Sequence, residues 1–335
     1  MNNEIHVVTG ASGRIGLALC AELKSRGLYV RALYYKDEQF APFIKQYADE
    51  VMFADITDPK TLEGAFSGAA YIYHLAGIIS IASRMDENIT AVNIDGTRNV
   101  IEHCIKCGAK RLIYTGTVHT LPFSDNESVL HEIERFDENA VSGSYAVSKS
   151  IASNLVLDAV KNQNLDAVIG IPSGVVGGFE LKRSNFGKMV VDVAERRLPV
   201  YITGRYDFVD VKDVAKALAD LATKGEKGET YVLSGHTMSV KDLVFNSAEA
   251  ARVEPPKLCL PLGFVNLFAG IAERISLARK QTLMFTPYAL KVLGDNCNFS
   301  HEKITSLTGY APRDLKEAIK DQVDFYLNVY KKNFK

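Results

Sequence analysis

Tryptophan is absent from this chain, and cysteine is scarce, with five cysteines among 335 residues. Their number is odd and their spacing is loose, which argues against a disulfide framework and favours a reducing compartment. Cys104 and Cys107 have the spacing of a redox or metal-binding pair, but no second pair completes a tetrahedral site. We interpret both as small residues of a helix, and we expect no bound metal.

An excess of either charge is also missing, because 39 lysines and arginines balance 40 aspartates and glutamates to a net charge of -1. No basic stripe is available to neutralise phosphates, so we expect no nucleic-acid partner. No run of about 18 apolar residues occurs, which argues against a membrane span. The first residues lack the basic, apolar and small-residue succession of a signal peptide, and we therefore expect a cytoplasmic protein.

What the sequence does have is ample material for a core, with 47% hydrophobic and 24% charged residues. In the first half, short β-type runs alternate with helical patterns such as residues 15–26. Apolar strands separated by helices indicate a parallel sheet covered on both faces, and hence a doubly wound α/β fold of the Rossmann type. The predicted strands are 5–9, 29–33, 51–53, 71–75, 111–115 and 167–171.

The alternation of strands and helices ends after Pro172, where glycine and proline become common and the predicted elements become irregular. From Val240 onward the pattern is largely helical. Between these points the predicted elements are a strand at 199–202, a helix at 211–221 and a strand at 230–233.

This change of pattern predicts two domains. A dinucleotide-binding domain covers residues 1–172, and 207–233 returns to it. A smaller, mostly helical substrate-binding domain covers 173–206 and 234–335. It is expected to cap the carboxyl edge of the sheet, where open α/β sheets bind their ligands.

Three glycines, Gly10, Gly13 and Gly16, lie directly between the first strand and the first helix. In a dinucleotide site one glycine makes the tight turn, one lets the backbone approach the pyrophosphate, and one lets the helix pack closely. The helix N-terminus then directs its free N–H groups at the phosphates. The position of the triplet favours a dinucleotide site over an ordinary glycine-rich turn.

The form of the dinucleotide depends on the end of the second strand. NAD-binding units carry an acid there, which holds the ribose 2′-hydroxyl. In this sequence the strand continues into Tyr35 and Lys36, and no acid precedes Asp37. Lys36, with Arg14, could meet a 2′-phosphate, unless Lys36 is only a solvated loop residue. We favour NADP(H), with NAD(H) as the alternative.

Tyr145 and Lys149 stand four residues apart on one face of a predicted helix that follows the polar loop 141–144. A free tyrosine has a pKa of about 10, which is too high for proton exchange at neutral pH. A neighbouring ammonium favours the phenolate and lowers that pKa, so the tyrosine can act as an acid and base. The pair, placed after the fifth strand, is the predicted catalytic centre.

With these residues the chain resembles the extended branch of the short-chain dehydrogenase/reductase family over nearly its whole length. Within that branch it is most similar to the dihydroflavonol-reductase and 3β-hydroxysteroid-dehydrogenase-like reductases. Supporting motifs are His74-Leu75-Ala76-Gly77, Asn93-Ile94-Asp95-Gly96-Thr97-Arg98-Asn99-Val100, Phe208-Val209-Asp210-Val211-Lys212-Asp213-Val214-Ala215 and Leu307-Thr308-Gly309-Tyr310-Ala311-Pro312.

The resemblance implies a third catalytic hydroxyl at the end of the fifth strand, where Thr117 stands in place of the usual serine and Thr115 is the alternative. It implies that Asn93 orders a proton-relay water, with a helix-interior polar residue as the other interpretation. It also implies a homodimer built from the helices that carry Asn93 and Tyr145.

The predicted binding residues complete this picture. For substrate we predict Ile79, Thr117, His119 and Ser173; His119, a lone loop histidine, could equally be structural. For the dinucleotide we predict Gly10, Ser12, Gly13, Arg14, Ile15, Gly16, Tyr35, Lys36, Asp55, Ile56, Leu75, Ala76, Gly77, Thr115, Tyr145, Lys149, Pro172 and Ser173.

Three functions are open at this point. The favoured one is a carbonyl/alcohol oxidoreductase that acts on an apolar small molecule, such as a ketone, an aldehyde, or a flavonoid- or steroid-like compound. The alternative is a nucleotide-sugar epimerase or dehydratase with tightly bound NAD. Such enzymes carry an arginine where this chain has Tyr206, with Arg205 one residue out of step. A non-catalytic dinucleotide-binding protein is the third, but such proteins typically lose the tyrosine–lysine pair.

One apolar stretch, residues 258–272, has Arg274, Arg279 and Lys280 beyond it. It could lie on a membrane surface. A lid over an apolar substrate pocket, or part of the core, is the favoured interpretation.

Overall fold

The computed structural model describes residues 4–80, 85–122, 128–266, 287–294 and 297–334. Strands occur from the first described residues to the second half of the chain. They are β1 (Ile5–Thr9), β2 (Tyr29–Tyr34), β3 (Glu50–Phe53), β4 (Ala69–His74), β5 (Arg111–Thr115), β6 (Ala167–Pro172), β7 (Gly174–Val176), β8 (Val200–Ile202), β9 (Arg205–Asp210), β10 (Thr230–Leu233), β11 (His236–Ser239) and β12 (Leu258–Leu260).

Helices connect these strands. The α-helices are α1 (Arg14–Ser25), α2 (Ala41–Ile44), α3 (Pro59–Ala65), α4 (Glu87–Ile89), α5 (Gly96–Lys106), α6 (Ser144–Asn162), α7 (Asn185–Ala194), α8 (Val211–Lys224), α9 (Val240–Ala251), α10 (Pro287–Gly294), α11 (Glu302–Thr308), α12 (Leu315–Phe325) and α13 (Lys331–Phe334). Single 3₁₀ turns are Glu38–Phe40, Lys45–Tyr47 and Val118–Thr120, and π-helical segments are Thr90–Asp95 and Tyr326–Tyr330.

The central sheet has seven strands in the order β10-β6-β5-β4-β1-β2-β3. Every neighbouring pair in it runs parallel. The strand order reverses at β1, so the turns after β1 and β4 border the crevice in which doubly wound sheets bind their ligands. The doubly wound fold predicted from the sequence is confirmed.

Both faces of the sheet are covered by apolar side chains of helices. On one face α1 packs against α8, and their buried residues include Leu17 and Leu218. On the other face α3, α5 and α6 contribute buried residues that include Val100 and Val156. Because the strands are buried from both sides, their sequences are apolar without alternation, which is the pattern that predicted them.

The predicted end of the fourth strand is one residue too late. Leu75 was expected in the strand, but β4 ends at His74. The hydroxyl of Thr9 accepts hydrogen bonds from the backbone N–H groups of Leu75 and Ala76, both at 3.1 Å. These bonds replace ladder bonds and turn the chain away from the sheet toward the crevice.

The second half of the chain adds one strand to the main sheet and builds two smaller sheets. β10 pairs with β6, β9 pairs with β7 and β11, and β12 pairs with β8. Side-chain caps begin its longer helices: Ser184 caps α7, Asp210 caps α8, Ser239 caps α9 and Asp314 caps α12. The proposed domain boundaries remain a prediction.

The apolar stretch at 258–272 begins with β12, and its part from residue 267 onward lies outside the described residues, as do Arg274, Arg279 and Lys280. In the part of the chain that the structure describes, no helix has both the length and the apolar character to cross a bilayer.

Candidate active site

The glycine turn after β1 is shaped by close backbone contacts. Gly10 has φ of +68°, and a Cβ atom added there would lie 2.8 Å from the backbone nitrogen of Ala76. A Cβ atom at Gly16 would overlap the carbonyl oxygen of Gly10 and lie 2.9 Å from the Cα of Ala11. Both positions therefore require glycine, one because of its backbone conformation and both because of space.

The N-terminus of α1 is open to an anion. Gly13 caps the helix without a side-chain hydrogen bond, and the first turn of this described helix contains no acidic residue. Uncapped N–H groups at the positive end of the helix dipole favour a phosphate group. The residues present thus fit the pyrophosphate of a dinucleotide, with Gly10, Gly13, Gly16 and the neighbouring Ile15 as its cradle.

Beyond the end of β2 the structure shows a buried acid close to the glycine turn, which the sequence pattern did not indicate. Asp37 is buried, and its carboxylate accepts a hydrogen bond from the Ser12 hydroxyl at 2.8 Å. It also forms an ion pair with Lys182. An acid therefore stands beside the glycine turn, although it comes too late in the sequence to be recognised. Lys182 was missed because nothing in the sequence links it to this strand.

The two cations that were expected at this place, Lys36 and Arg14, contact other groups than Asp37. Lys36 is exposed, and its ammonium lies 4.7 Å from the centre of the Tyr35 ring. Arg14 points into the protein, where its buried guanidinium pairs with Glu180 and donates to the carbonyl oxygen of Val175. In this structure Arg14 is therefore engaged in an internal ion pair.

The predicted catalytic pair, Tyr145 and Lys149, lies in the first two turns of α6, and burial is the main cause of the pKa shift of both side chains. Burial raises the pKa of Tyr145 to about 12, opposed by a hydrogen bond with Thr117. Burial lowers the pKa of Lys149 to about 7. The expected lowering of the Tyr145 pKa by Lys149 is therefore not met, because burial raises that pKa and the effect that opposes burial is the hydrogen bond with Thr117.

Thr117 rather than Thr115 adjoins the phenol. The Thr117 hydroxyl forms a hydrogen bond with Tyr145 and accepts a longer one from the His119 N–H at 3.4 Å. The Thr115 hydroxyl is buried without a hydrogen-bond partner among the described residues, while its carbonyl oxygen accepts a hydrogen bond from Lys149 at 2.6 Å.

Asn93 lies in the π-helical segment, and its side-chain amide makes three hydrogen bonds. Its Oδ1 accepts from the Ile78 N–H at 2.8 Å, and its Nδ2 donates to the Ile78 carbonyl and the Ser148 hydroxyl, both at 3.0 Å. The side chain thus joins the segment after β4 to helix α6. The proposed water relay through Asn93 remains a prediction.

A buried hydrogen-bond chain that the sequence did not reveal centres on His74. The Thr9 hydroxyl already accepts two backbone N–H groups, so it donates its proton to His74 Nδ1 at 2.9 Å. His74 Nε2 therefore carries the hydrogen and donates to Thr97 at 3.1 Å, and Thr97 donates to the Asn93 carbonyl at 2.7 Å. Burial lowers the pKa of His74 to about 3, which matches this neutral form.

An aromatic wall, formed by His119, Phe186, Tyr206 and Phe208, adjoins Tyr145. The Tyr206 ring stacks between His119 at 5.9 Å and Phe186 at 6.0 Å, and His119 meets Tyr145 edge-on at 6.1 Å. His119 Nε2 and the Tyr206 hydroxyl lie 3.2 Å apart. Burial lowers the pKa of His119 to about 4, so this wall is uncharged at neutral pH.

The remaining predicted residues lie at or after the carboxyl ends of strands, but their solvent exposure differs. Ile79 is 70% exposed, whereas Ser173 is buried after β6. Asp207, which the sequence did not single out, is buried and accepts a hydrogen bond from the Gly235 N–H at 2.9 Å; burial raises its pKa to about 6. Pro172 is the last residue of β6, and the others follow the ends of β3 and β4: Asp55, Ile56, Leu75, Ala76 and Gly77.

Comparison with known proteins agrees with this geometry. The model of the NAD dependent epimerase/dehydratase family matches residues 6–234. Sterol demethylase protein B of Methylococcus capsulatus is 25% identical over 327 residues, which cover 96% of this chain and 97% of that protein. Cinnamoyl-CoA reductase 1 of Oryza sativa is 28% identical over 250 residues, covering 71% of this chain and 73% of that protein.

Solved structures show the same likeness. The crystal structure of gox2253 superposes with a TM-score of 0.83 at 28% identity and covers 97% of this chain and 98% of that chain. Structures at 17% to 20% identity include a UDP-glucose 4-epimerase and complexes with NAD or NADPH, and their likeness shows the fold alone.

Proposed function

Because this chain belongs to the NAD dependent epimerase/dehydratase family, we propose that it is an oxidoreductase that interconverts a carbonyl and an alcohol. The family makes it an enzyme that uses a nicotinamide dinucleotide. The proposed substrate is a largely apolar small molecule, such as a ketone, an aldehyde, or a flavonoid- or steroid-like compound.

The aromatic wall beside Tyr145 carries this proposal. Tyr206 stands where sugar-nucleotide enzymes place an arginine, and it is buried between two other rings. Clamping a diphosphate takes a cation that can donate two hydrogen bonds, which a stacked phenol cannot supply. An uncharged wall of rings favours contact with an apolar substrate.

In the reductive direction Tyr145 donates its phenolic proton to the carbonyl oxygen of the substrate. Its pKa of about 12 in the free protein keeps that proton in place at neutral pH. Thr117, which is hydrogen-bonded to the phenol, polarises the same carbonyl oxygen. When bound, the nicotinamide supplies the hydride for the carbonyl carbon.

Lys149 has two tasks in this proposal. It would hold the nicotinamide ribose, and its charge would stabilise the phenolate that remains after proton transfer. With a pKa of about 7, the free lysine exchanges a proton near neutral pH. Asn93 supports both groups by fixing the segment after β4 against α6.

For the dinucleotide we propose NADP(H), with NAD(H) as the alternative. Cations are present near the end of β2, namely Lys36 and Lys182. Asp37 opposes a 2′-phosphate, because two like charges at short distance repel. The preference is therefore expected to be moderate rather than absolute.

The test is oxidation of NADPH and NADH by the purified protein with aldehydes, ketones, steroids and UDP-sugars. We expect turnover with an apolar carbonyl compound and a loss of at least about 100-fold in kcat for Tyr145→Phe. Tyr73→Phe is the matched control, because it removes another buried phenol from β4. Conversion of a UDP-sugar without net oxidation, or dinucleotide binding without any turnover, would contradict the proposal.

A further inference from the structure

The loop 177–184, which follows β7, folds back onto the dinucleotide end of the sheet. Its Glu180 pairs with Arg14, the first residue of α1, and its Lys182 pairs with Asp37 beyond β2. A segment distant in sequence from the glycine turn therefore adds two charged residues to its surroundings.

The base of this loop is held firmly. The Glu180 carboxylate accepts hydrogen bonds from the Ser184 N–H at 2.9 Å and the Ser184 hydroxyl at 2.8 Å. It also accepts one from the Gln322 side chain at 3.1 Å, and Gln322 in turn accepts from the Gly177 N–H at 3.2 Å. Because these buried contacts fix Glu180, the backbone of Lys182, two residues later, has a defined position.

Asp37 occupies the place where the ribose of a dinucleotide is expected. The glycine turn contacts the pyrophosphate, and an acid at the end of the second strand meets the adenosine 2′-hydroxyl. Asp37 follows β2 and is hydrogen-bonded to Ser12, which lies inside the glycine turn. Its carboxylate is therefore adjacent to both features that define this ribose.

We propose that Asp37 and Lys182 together discriminate between a hydroxyl and a phosphate at the adenosine 2′-position. Asp37 accepts a hydrogen bond from the hydroxyl of NAD(H), and Lys182 binds the phosphate of NADP(H). This inference rests on the proposed dinucleotide-dependent function, and it assigns the choice of cofactor to a residue outside the nucleotide motif.

The exposure of the two side chains supports this division of roles. Asp37 is 11% exposed and held by Ser12, whereas Lys182 is 50% exposed. The carboxylate thus keeps its position when a ligand arrives, while the long lysine side chain can turn from it toward a phosphate. In the absence of a phosphate, Lys182 compensates the charge of Asp37.

Lys36 contributes less in this proposal. Its ammonium lies over the Tyr35 ring, and its pKa is raised first by Tyr35 and to a smaller extent by Asp55, beyond β3. Arg14 is occupied by Glu180 and the Val175 carbonyl. Lys182 is thus the cation that directly contacts the acid of the expected ribose site.

The experiment measures binding rather than turnover. Dissociation constants for 2′,5′-ADP and 5′-ADP, which lack the nicotinamide, are determined by calorimetry for the wild type and two variants. Lys182→Gln should raise the dissociation constant of 2′,5′-ADP by about tenfold or more, since a charge-assisted contact to phosphate is lost. It should raise that of 5′-ADP by less than about twofold. Asp37→Asn, which keeps an acceptor for the Ser12 hydroxyl, should increase the affinity for 2′,5′-ADP relative to that for 5′-ADP.

Lys303→Gln is the matched control, because Lys303 also pairs with one acid, Glu229, but beside β10 at the opposite end of the sheet. It should leave the ratio of the two affinities unchanged. A ratio that Lys182→Gln leaves at the wild-type value overturns the inference, even if Asp37→Asn fails to fold. Wild-type protein that binds neither NADPH nor NADH would instead overturn the proposed function itself.

Discussion

The ammonium nitrogen of Lys149 lies 2.6 Å from the carbonyl oxygen of Thr115. It also lies 4.2 Å from the centre of the Tyr114 ring. One carbonyl and one ring replace the hydration that a free ammonium has, and this is too little to keep its pKa at the usual value. Near neutral pH the lysine is therefore close to losing its proton.

The stability of the ligand-free protein should rise with pH because of Lys149. Its pKa is about 7 in the folded state and 10.5 in the unfolded chain, so between these values the unfolded state binds more protons. From pH 7 to 8.5 the free energy of unfolding should increase by about 1.5 kcal/mol. Urea unfolding at fixed ionic strength measures this increase.

Lys149→Met should remove most of that increase, because the titrating group is gone. The comparison between the two proteins cancels other groups, and the buried histidines His74 and His119 have pKa values near 3 and 4, below this range. An equal pH dependence in both proteins would show that Lys149 does not titrate as the structure indicates.

Thr117 should be needed for rate more than for folding. Thr117→Val removes the hydroxyl beside Tyr145 and should lower kcat by about 100-fold, as the loss of one donor to a developing oxyanion does. Thr117→Ser keeps the hydroxyl and should retain most activity. Steady-state kinetics on the best carbonyl substrate measure both, and a valine variant as active as the serine variant would exclude this role.

His74 should stabilise the fold through its two hydrogen bonds. His74→Leu leaves the Thr9 hydroxyl without an acceptor and Thr97 without a donor, which should lower the free energy of unfolding by about 2–4 kcal/mol. His103→Leu is the control, because the His103 ring forms a hydrogen bond with the Asn99 carbonyl at 2.8 Å and packs against the Phe66 ring; this substitution should cost less than about 1.5 kcal/mol. Equal losses in chemical denaturation would argue against the chain through His74.

Two glycine-to-alanine substitutions should have opposite effects. Gly16→Ala forces a methyl group onto the carbonyl of Gly10, so the turn must shift, and both stability and dinucleotide affinity should fall. Gly64→Ala adds a methyl group to α3 in open space and should stabilise the protein by about 0.5–1 kcal/mol. Thermal unfolding with and without NADPH tests both; a Gly16→Ala protein that binds NADPH as the wild type does would refute the packing argument.

The fold was predictable because its signals are local. Strands β1, β5 and β10 begin and end where the apolar runs predict, since burial on both faces requires such runs. The limit of β4 was not predictable, because a hydroxyl from β1 terminates it. A neighbouring strand decided where this one ends.

In the candidate site, too, some residues were predictable from local sequence and others were not. Tyr145 and Lys149 are close because one helix carries both, and the glycine turn follows from backbone sterics at consecutive residues. Asp37 looked misplaced in the sequence, and only the approach of Ser12 and Lys182 reveals where its carboxylate lies.

The sequence by itself determined the class of fold, the glycine turn after the first strand and the helix that bears the proposed catalytic pair, because each depends on spacing within a few residues. The tertiary structure alone decided the pKa values of that pair, since burial is the main cause of both shifts. It also decided the composition of the aromatic wall, which brings together His119 and Tyr206 from positions 87 residues apart. Contacts between distant segments depend on how the sheet, its crevice and the returning loops pack, and no local pattern encodes them.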